Sequence, residues 1–118
     1  MAGKTVRHAD VGRCQQGDAA LARGFAVLGK RWNGLVLGSL IGGPVGYRQL
    51  SRAIGSVSDS VLSDRLAELT GVGLVARHVE EGPPVAVMYE LTASGRALIP
   101  ALEKIAAWAQ QYLPDGSN

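Results

Sequence analysis

The sequence predicts a mostly helical α+β domain in which two short helices precede a β-hairpin and a long closing helix. Three observations predict it. Apolar residues recur at helical spacing over about 18–28, 30–41, 47–54, 58–70 and 92–113. Two β-branched segments, Leu74–Val79 and Val85–Leu91, flank the turn-forming run Glu80-Glu81-Gly82-Pro83-Pro84. Glycine and proline sit between these stretches, most firmly at Gly42-Gly43-Pro44. A length of 118 residues fits one domain with one core, too short for a two-domain enzyme with a cofactor-binding half. With 47% apolar and 19% charged residues the chain is expected to fold.

In chain order, residues 1–17 are polar and weakly periodic and read as a loose arm. Asp18 is placed to cap a first helix carrying Leu21, Phe25 and Leu28, ended by Gly29. A second helix is expected from about Lys30 to Ile41, with Trp32, Leu35, Val36, Leu40 and Ile41 inward. Val45 and Gly46 suit a very short strand. A third helix spans Tyr47 to Ile54, burying Leu50 and Ile54, and Gly55 stops it. Ser58 caps the fourth, where Leu62, Leu66 and Leu69 form one buried stripe and Asp59 suits the positive end of the helix dipole. Gly71 and Gly73 end it before the hairpin. Thr92 caps a final helix to about Leu113, expected to kink at Pro100, where a backbone donor is missing. Residues 18–113 therefore form the domain, and 114–118 a flexible tail.

A helix-turn-helix followed by a β-hairpin is a winged helix. Two short helices crossing steeply leave the second protruding, and a helix about 10–12 Å across fits a B-DNA major groove about 12 Å wide. The charge distribution is compatible with a polyanion. Residues 1–65 hold nine Lys/Arg against four Asp/Glu, a net of +5, whereas residues 66–118 hold three against six, a net of −3.

An ordered set of stretches resembles the HxlR-type winged-helix transcriptional regulators. They are Cys14, Leu28-Gly-Lys-Arg-Trp32, Tyr47-Arg-Gln-Leu50, Val61-Leu-Ser-Asp-Arg-Leu-Ala-Glu-Leu69, Gly73-Leu-Val-Ala-Arg77, Met88-Tyr-Glu-Leu-Thr92, Leu98-Ile-Pro100 and Trp108. The resemblance runs from about Cys14 to Tyr112. It implies a cytoplasmic homodimer that binds double-stranded operator DNA and answers to a reactive or toxic small molecule. It also implies that Cys14 senses electrophiles or oxidants.

The residues expected at the DNA are Ser60, Ser63 and Asp64 on the exposed side of the fourth helix, with Ser58 as its cap. Arg65 is expected either at phosphate or paired with Asp64 or Glu68. Lys30, Arg31, Arg48, Gln49 and Arg52 are the candidate backbone contacts. In the wing Arg77 and His78 alternate in direction, so only one of them can face DNA. Asp59 and Asp64 depart from the family pattern, because carboxylates oppose the phosphate field, although one can accept from a cytosine N4 amine.

The last helix carries Leu98, Leu102, Ile105, Trp108, Ala109 and Tyr112, more apolar area than one core needs, and is the expected dimer interface. Cys14 lies beside Arg13 and near Arg7 and His8, which favour the reactive thiolate; the alternative is a small buried apolar residue. A single cysteine excludes an intrachain disulfide and, with only two histidines, makes a zinc site improbable. No nucleophile–base pair at a convincing spacing and no phosphate-cradling glycine loop is present, so neither an enzyme nor a cofactor is expected. No apolar run reaches the roughly 18 residues of a membrane span, and no secretory signal is read at the N-terminus. The competing function is a winged helix that binds protein or ligand with weak DNA affinity, favoured by the two aspartates.

Overall fold

The computed structural model describes the backbone of residues 8–115 and the side chains of residues 17–115. The chain divides into two compact units at Arg31/Trp32. The N-terminal unit contains one helix, α1 (His8–Leu28). It begins ten residues before the expected start, so Asp18 lies inside a helix and caps nothing. Apolar periodicity is absent from residues 9–16, but helix propensity does not need it, and Ala, Arg and Gln are good helix formers. Leu21 and Phe25, one turn apart on α1, are exposed. Residues 1–7 of the expected arm and 116–118 of the expected tail lie outside the described residues.

The second unit contains α2 (Asn33–Ser39), β1 (Val45–Gly46), α3 (Tyr47–Ile54), α4 (Asp59–Gly71), β2 (Val75–Glu80), β3 (Ala86–Leu91), α5 (Ala93–Ala97) and α6 (Ile99–Tyr112). The strands form one antiparallel sheet in the order β1-β3-β2, with Val45 opposite Tyr89, and Arg77 opposite Tyr89 from the other side. The core is built by Val36, Leu37 and Leu40 from α2 and its end, Leu50 from α3, Leu62, Leu66 and Leu69 from α4, and Val75, Tyr89 and Leu91 from the sheet. Each fully buried leucine contributes about 1.5–3 kcal/mol, and α2, α3 and α4 pack on one another around them.

Two further expectations fail. The second helix starts at Asn33 rather than Lys30, because Trp32 takes a left-handed backbone (φ 81°, ψ −22°) before its carbonyl accepts from the Val36 N–H at 2.9 Å. That conformation costs an L-residue about 1–2 kcal/mol. The buried face is then Asn33, Val36, Leu37 and Leu40, while Leu35 is 58% exposed. In the nearly continuous apolar run Leu35–Ile41, composition cannot select which residue faces inward.

The final helix is broken rather than kinked. Thr92 caps α5, its Oγ1 accepting from the Gly95 N–H at 3.1 Å. The chain breaks at Leu98, and Pro100 falls in the first turn of α6, where its missing N–H has no helical role. The start of α5 is held by two bonds, Thr92 Oγ1 to the Gly73 carbonyl at 2.6 Å and the Thr92 N–H to the Leu74 carbonyl at 3.0 Å. Gly95 sits against that Leu74 carbonyl so closely that a Cβ would collide with it.

Candidate nucleic-acid interface

Helix α4 advances about 100° per residue. With Leu62, Leu66 and Leu69 inward, Ser60, Ser63, Asp64 and Ala67 fall on the opposite side, and all four are exposed. The helix is started by Ser58, whose Oγ accepts from the Val61 N–H at 3.3 Å. Ser58 therefore acts as a cap, and its hydroxyl lies 3.5 Å from that of Ser60.

Helix α3 begins where β1 ends. The Gly46 N–H donates to Gln49 Oε1 at 3.2 Å, so the Gln49 carbonyl oxygen serves the helix start while its amide nitrogen points elsewhere. Arg48 and Arg52 are exposed on α3. A groove of about 780 Å³ opens between α3, α4 and the hairpin. Arg48, Gln49, Ser63 and Arg77 line it together with the wing residues from Pro84 to Tyr89. An adjoining depression of about 500 Å³ is lined by Tyr47, Arg48, Ser51, Arg52 and Asp59. Arg48 belongs to both, Arg77 to the groove with Ser63 and Arg52 to the depression with Asp59.

The wing resolves the alternation between Arg77 and His78. Arg77 reaches the groove. His78 lies on the other face of the ladder and meets the Glu90 carboxylate. Glu80 and Glu81 are exposed at the hairpin's tip, as is Val85.

Arg65 follows its ion-pair alternative. Its Nη1 lies 3.2 Å from Glu68 Oε1, and only 25% of its side chain is exposed. The same Glu68 oxygen accepts from Nδ2 of the buried Asn33 at 3.3 Å, so this pair joins α4 to the start of α2. Arg65 flanks the buried stripe and is not among the residues that line the groove.

Two residues escaped sequence reading. Asn33 is a buried polar residue inside an apolar helix. Tyr47 sits between the two helices. Its hydroxyl donates to the Asp59 carbonyl at 3.0 Å, reaches Asp59 Oδ1 at 3.4 Å, and lies 3.2 Å from Ser63 Oγ. The available signal was a tyrosine at a helix start, whose hydroxyl needs a polar partner when its ring packs.

Lys30 and Arg31 are exposed in the N-terminal unit. Cys14 falls within α1, and its side chain lies outside the described residues. On α6 and its approach, Leu98, Leu102 and Ala109 are half-buried. Ile105, Trp108 and Tyr112, spaced by three and four residues, are 45%, 53% and 65% exposed. Among the described residues no group of three His, Cys, Asp or Glu side chains is arranged to hold a metal, and no helix is long and apolar enough to cross a membrane.

A helix-turn-helix with an exposed second helix, a hairpin beside it and arginines on both flanks defines a winged-helix DNA-binding protein. The family model for the HxlR-like helix-turn-helix matches residues 27–117. The chain belongs to that family and is a transcriptional regulator, not an enzyme. The HTH-type transcriptional regulator YodB of Bacillus subtilis is 39% identical over 94 residues, which are 80% of this chain and 84% of YodB. The reduced form of YodB superposes with a TM-score of 0.72 at 37% identity, covering 82% of this chain and 95% of that one. Quinone-bound YodB gives 0.69 at 35% identity over 79% and 97%. The redox regulator HypR in its oxidized form gives 0.77 at 27% identity over 81% and 99%.

Proposed function

We propose that the protein acts as a homodimer that binds operator DNA through two copies of the α3–α4–wing face and releases or engages it in response to a reactive small molecule. The observation that carries the DNA face is that Arg48, Arg52 and Arg77 line the two adjoining depressions beside α4, with Arg48 in both. These side chains supply sequence-independent phosphate charge, while Ser60, Ser63 and Asp64 sit at the end of α4 that enters a major groove. The exposed apolar stripe Ile105–Trp108–Tyr112 supports pairing of two subunits. Two half-sites held by one dimer raise the modest affinity of a single winged helix. DNA as partner puts the protein in the cytoplasm.

The response is assigned to Cys14, the only cysteine. Arg13 next to it in sequence favours the thiolate. The relatives support this reading, since YodB has been solved with a quinone and HypR in an oxidized form. A thiolate that adds to a quinone ring carbon forms one S–C bond as the C=C π pair shifts to the quinone oxygen, which takes up a proton, so no oxidant is needed. A disulfide between subunits needs a two-electron oxidant such as a peroxide.

Footprinting on the DNA that flanks the protein's own coding region tests the DNA reading. Protection of a two-fold repeated site is expected, and a change in that protection on adding a quinone. Cys14→Ser is expected to retain the footprint and lose the quinone response. A Cys14→Ser protein with the full response removes Cys14 from the mechanism and leaves the regulator.

A further inference from the structure

We propose that Tyr47 is a positioning residue that fixes the hydrogen-bonding polarity of Ser63, so that Ser63 meets DNA as an acceptor and selects a base that presents an exocyclic amine in the major groove. The proposal rests on the DNA reading above and deepens it.

The argument is one of counting hydrogens. A phenol has one hydrogen to donate and two lone pairs. The nearer Asp59 atom, the backbone carbonyl at 3.0 Å, has no proton and can only accept, and Oδ1 of the same residue lies 3.4 Å away. The phenol hydrogen is therefore committed to Asp59. Ser63 Oγ, 3.2 Å from the same oxygen, then has to donate to it. With its hydrogen turned toward Tyr47, the Ser63 hydroxyl offers only lone pairs outward.

Ser63 lines the groove and is exposed. On the same face Asp64 offers carboxylate oxygens, and the Ser60 hydroxyl lies 3.5 Å from that of Ser58, where either can donate. In the major groove the exocyclic donors are the N4 amine of cytosine and the N6 amine of adenine. Guanine O6 and thymine O4 are acceptors and are repelled by an acceptor-only serine. Asp64, which looks misplaced against phosphate, thus shares a logic with Ser63, because both offer acceptors to an amine, while Asp59 holds the Tyr47 hydroxyl.

The test compares wild type, Tyr47→Phe, Ser63→Ala and the double variant on the wild-type operator and its complete set of single base-pair substitutions. Wild type is expected to discriminate against loss of the amine at one base pair per half-site by about five- to tenfold, the worth of roughly one hydrogen bond. Tyr47→Phe releases the Ser63 hydrogen, and the preference at that base pair is expected to flatten while other positions and the salt dependence stay as they were. Ser63→Ala flattens the same position, and the double variant flattens it no further. A merely structural Tyr47 would weaken all positions alike. An unchanged base profile in Tyr47→Phe overturns the proposal. If that variant does not fold, Ser63→Ala decides: an unchanged profile overturns the proposal, and selective flattening supports it. A wild-type protein that binds DNA with no preferred sequence overturns the underlying DNA reading and this proposal with it.

Discussion

The salt dependence of operator binding offers the most direct measure of the proposed face. Three arginines, Arg48, Arg52 and Arg77, line the adjoining depressions beside α4. A dimer that sets all of them on phosphates neutralises about six charges, which gives log K against log salt a slope of about −5.4. Between 50 and 200 mM salt, affinity then falls by about 2,000-fold. Arg48→Ala removes one charge per subunit and flattens the slope to about −3.6, so the same salt step costs only about 150-fold. Arg65→Ala is the internal control. Arg65 is already paired with Glu68 at 3.2 Å, so its loss is expected to leave the slope unchanged. Fluorescence anisotropy of a labelled operator across a salt series provides both slopes. A wild-type slope no steeper than about −2, or an Arg65→Ala slope as flat as that of Arg48→Ala, would refute the assignment of charges to this face.

Three further outcomes follow from packing. Gly95→Ala drives a Cβ into the Leu74 carbonyl and is expected to cost about 1–3 kcal/mol, read as a lower urea midpoint at unchanged m-value. Leu66→Ala empties the centre of the α4 stripe, with an expected loss of about 2–5 kcal/mol in the same assay, and an effect below 1 kcal/mol would mean the stripe is not the core. Trp108→Glu places a charge in the proposed dimer surface, so sedimentation velocity should show monomers that keep the wild-type far-UV circular dichroism but bind the operator weakly. A Trp108→Glu protein that still sediments as a dimer moves the interface elsewhere.

Several elements were legible in the sequence because their signals are local. Ser58 caps α4 and Thr92 caps α5, since a hydroxyl before a helical run finds the free N–H groups of its own first turn. The stripe Leu62–Leu66–Leu69 faces inward because its spacing matches the helical period and polar residues separate it. The hairpin formed where β-branched segments flank a turn sequence. By contrast Leu35 was expected inside and is 58% exposed, because an unbroken apolar run carries no phase. Pro100 was expected to bend a helix and instead begins one, since a proline removes the same backbone donor in either place.

What the sequence determined by itself is the winged-helix order of elements, the caps of α4 and α5 and the apolar stripe that turns one side of α4 to solvent. Each of these rests on forces acting within a few residues. Only the tertiary structure decided that Arg77 lines the groove with Arg48 while Arg65 pairs inward with Glu68. It also decided that the Tyr47 hydroxyl meets Asp59 and Ser63 on the next helix. Those outcomes depend on how side chains distant along the chain converge, and a hydrogen bond or ion pair is made only where packing brings donor and acceptor within about 3 Å.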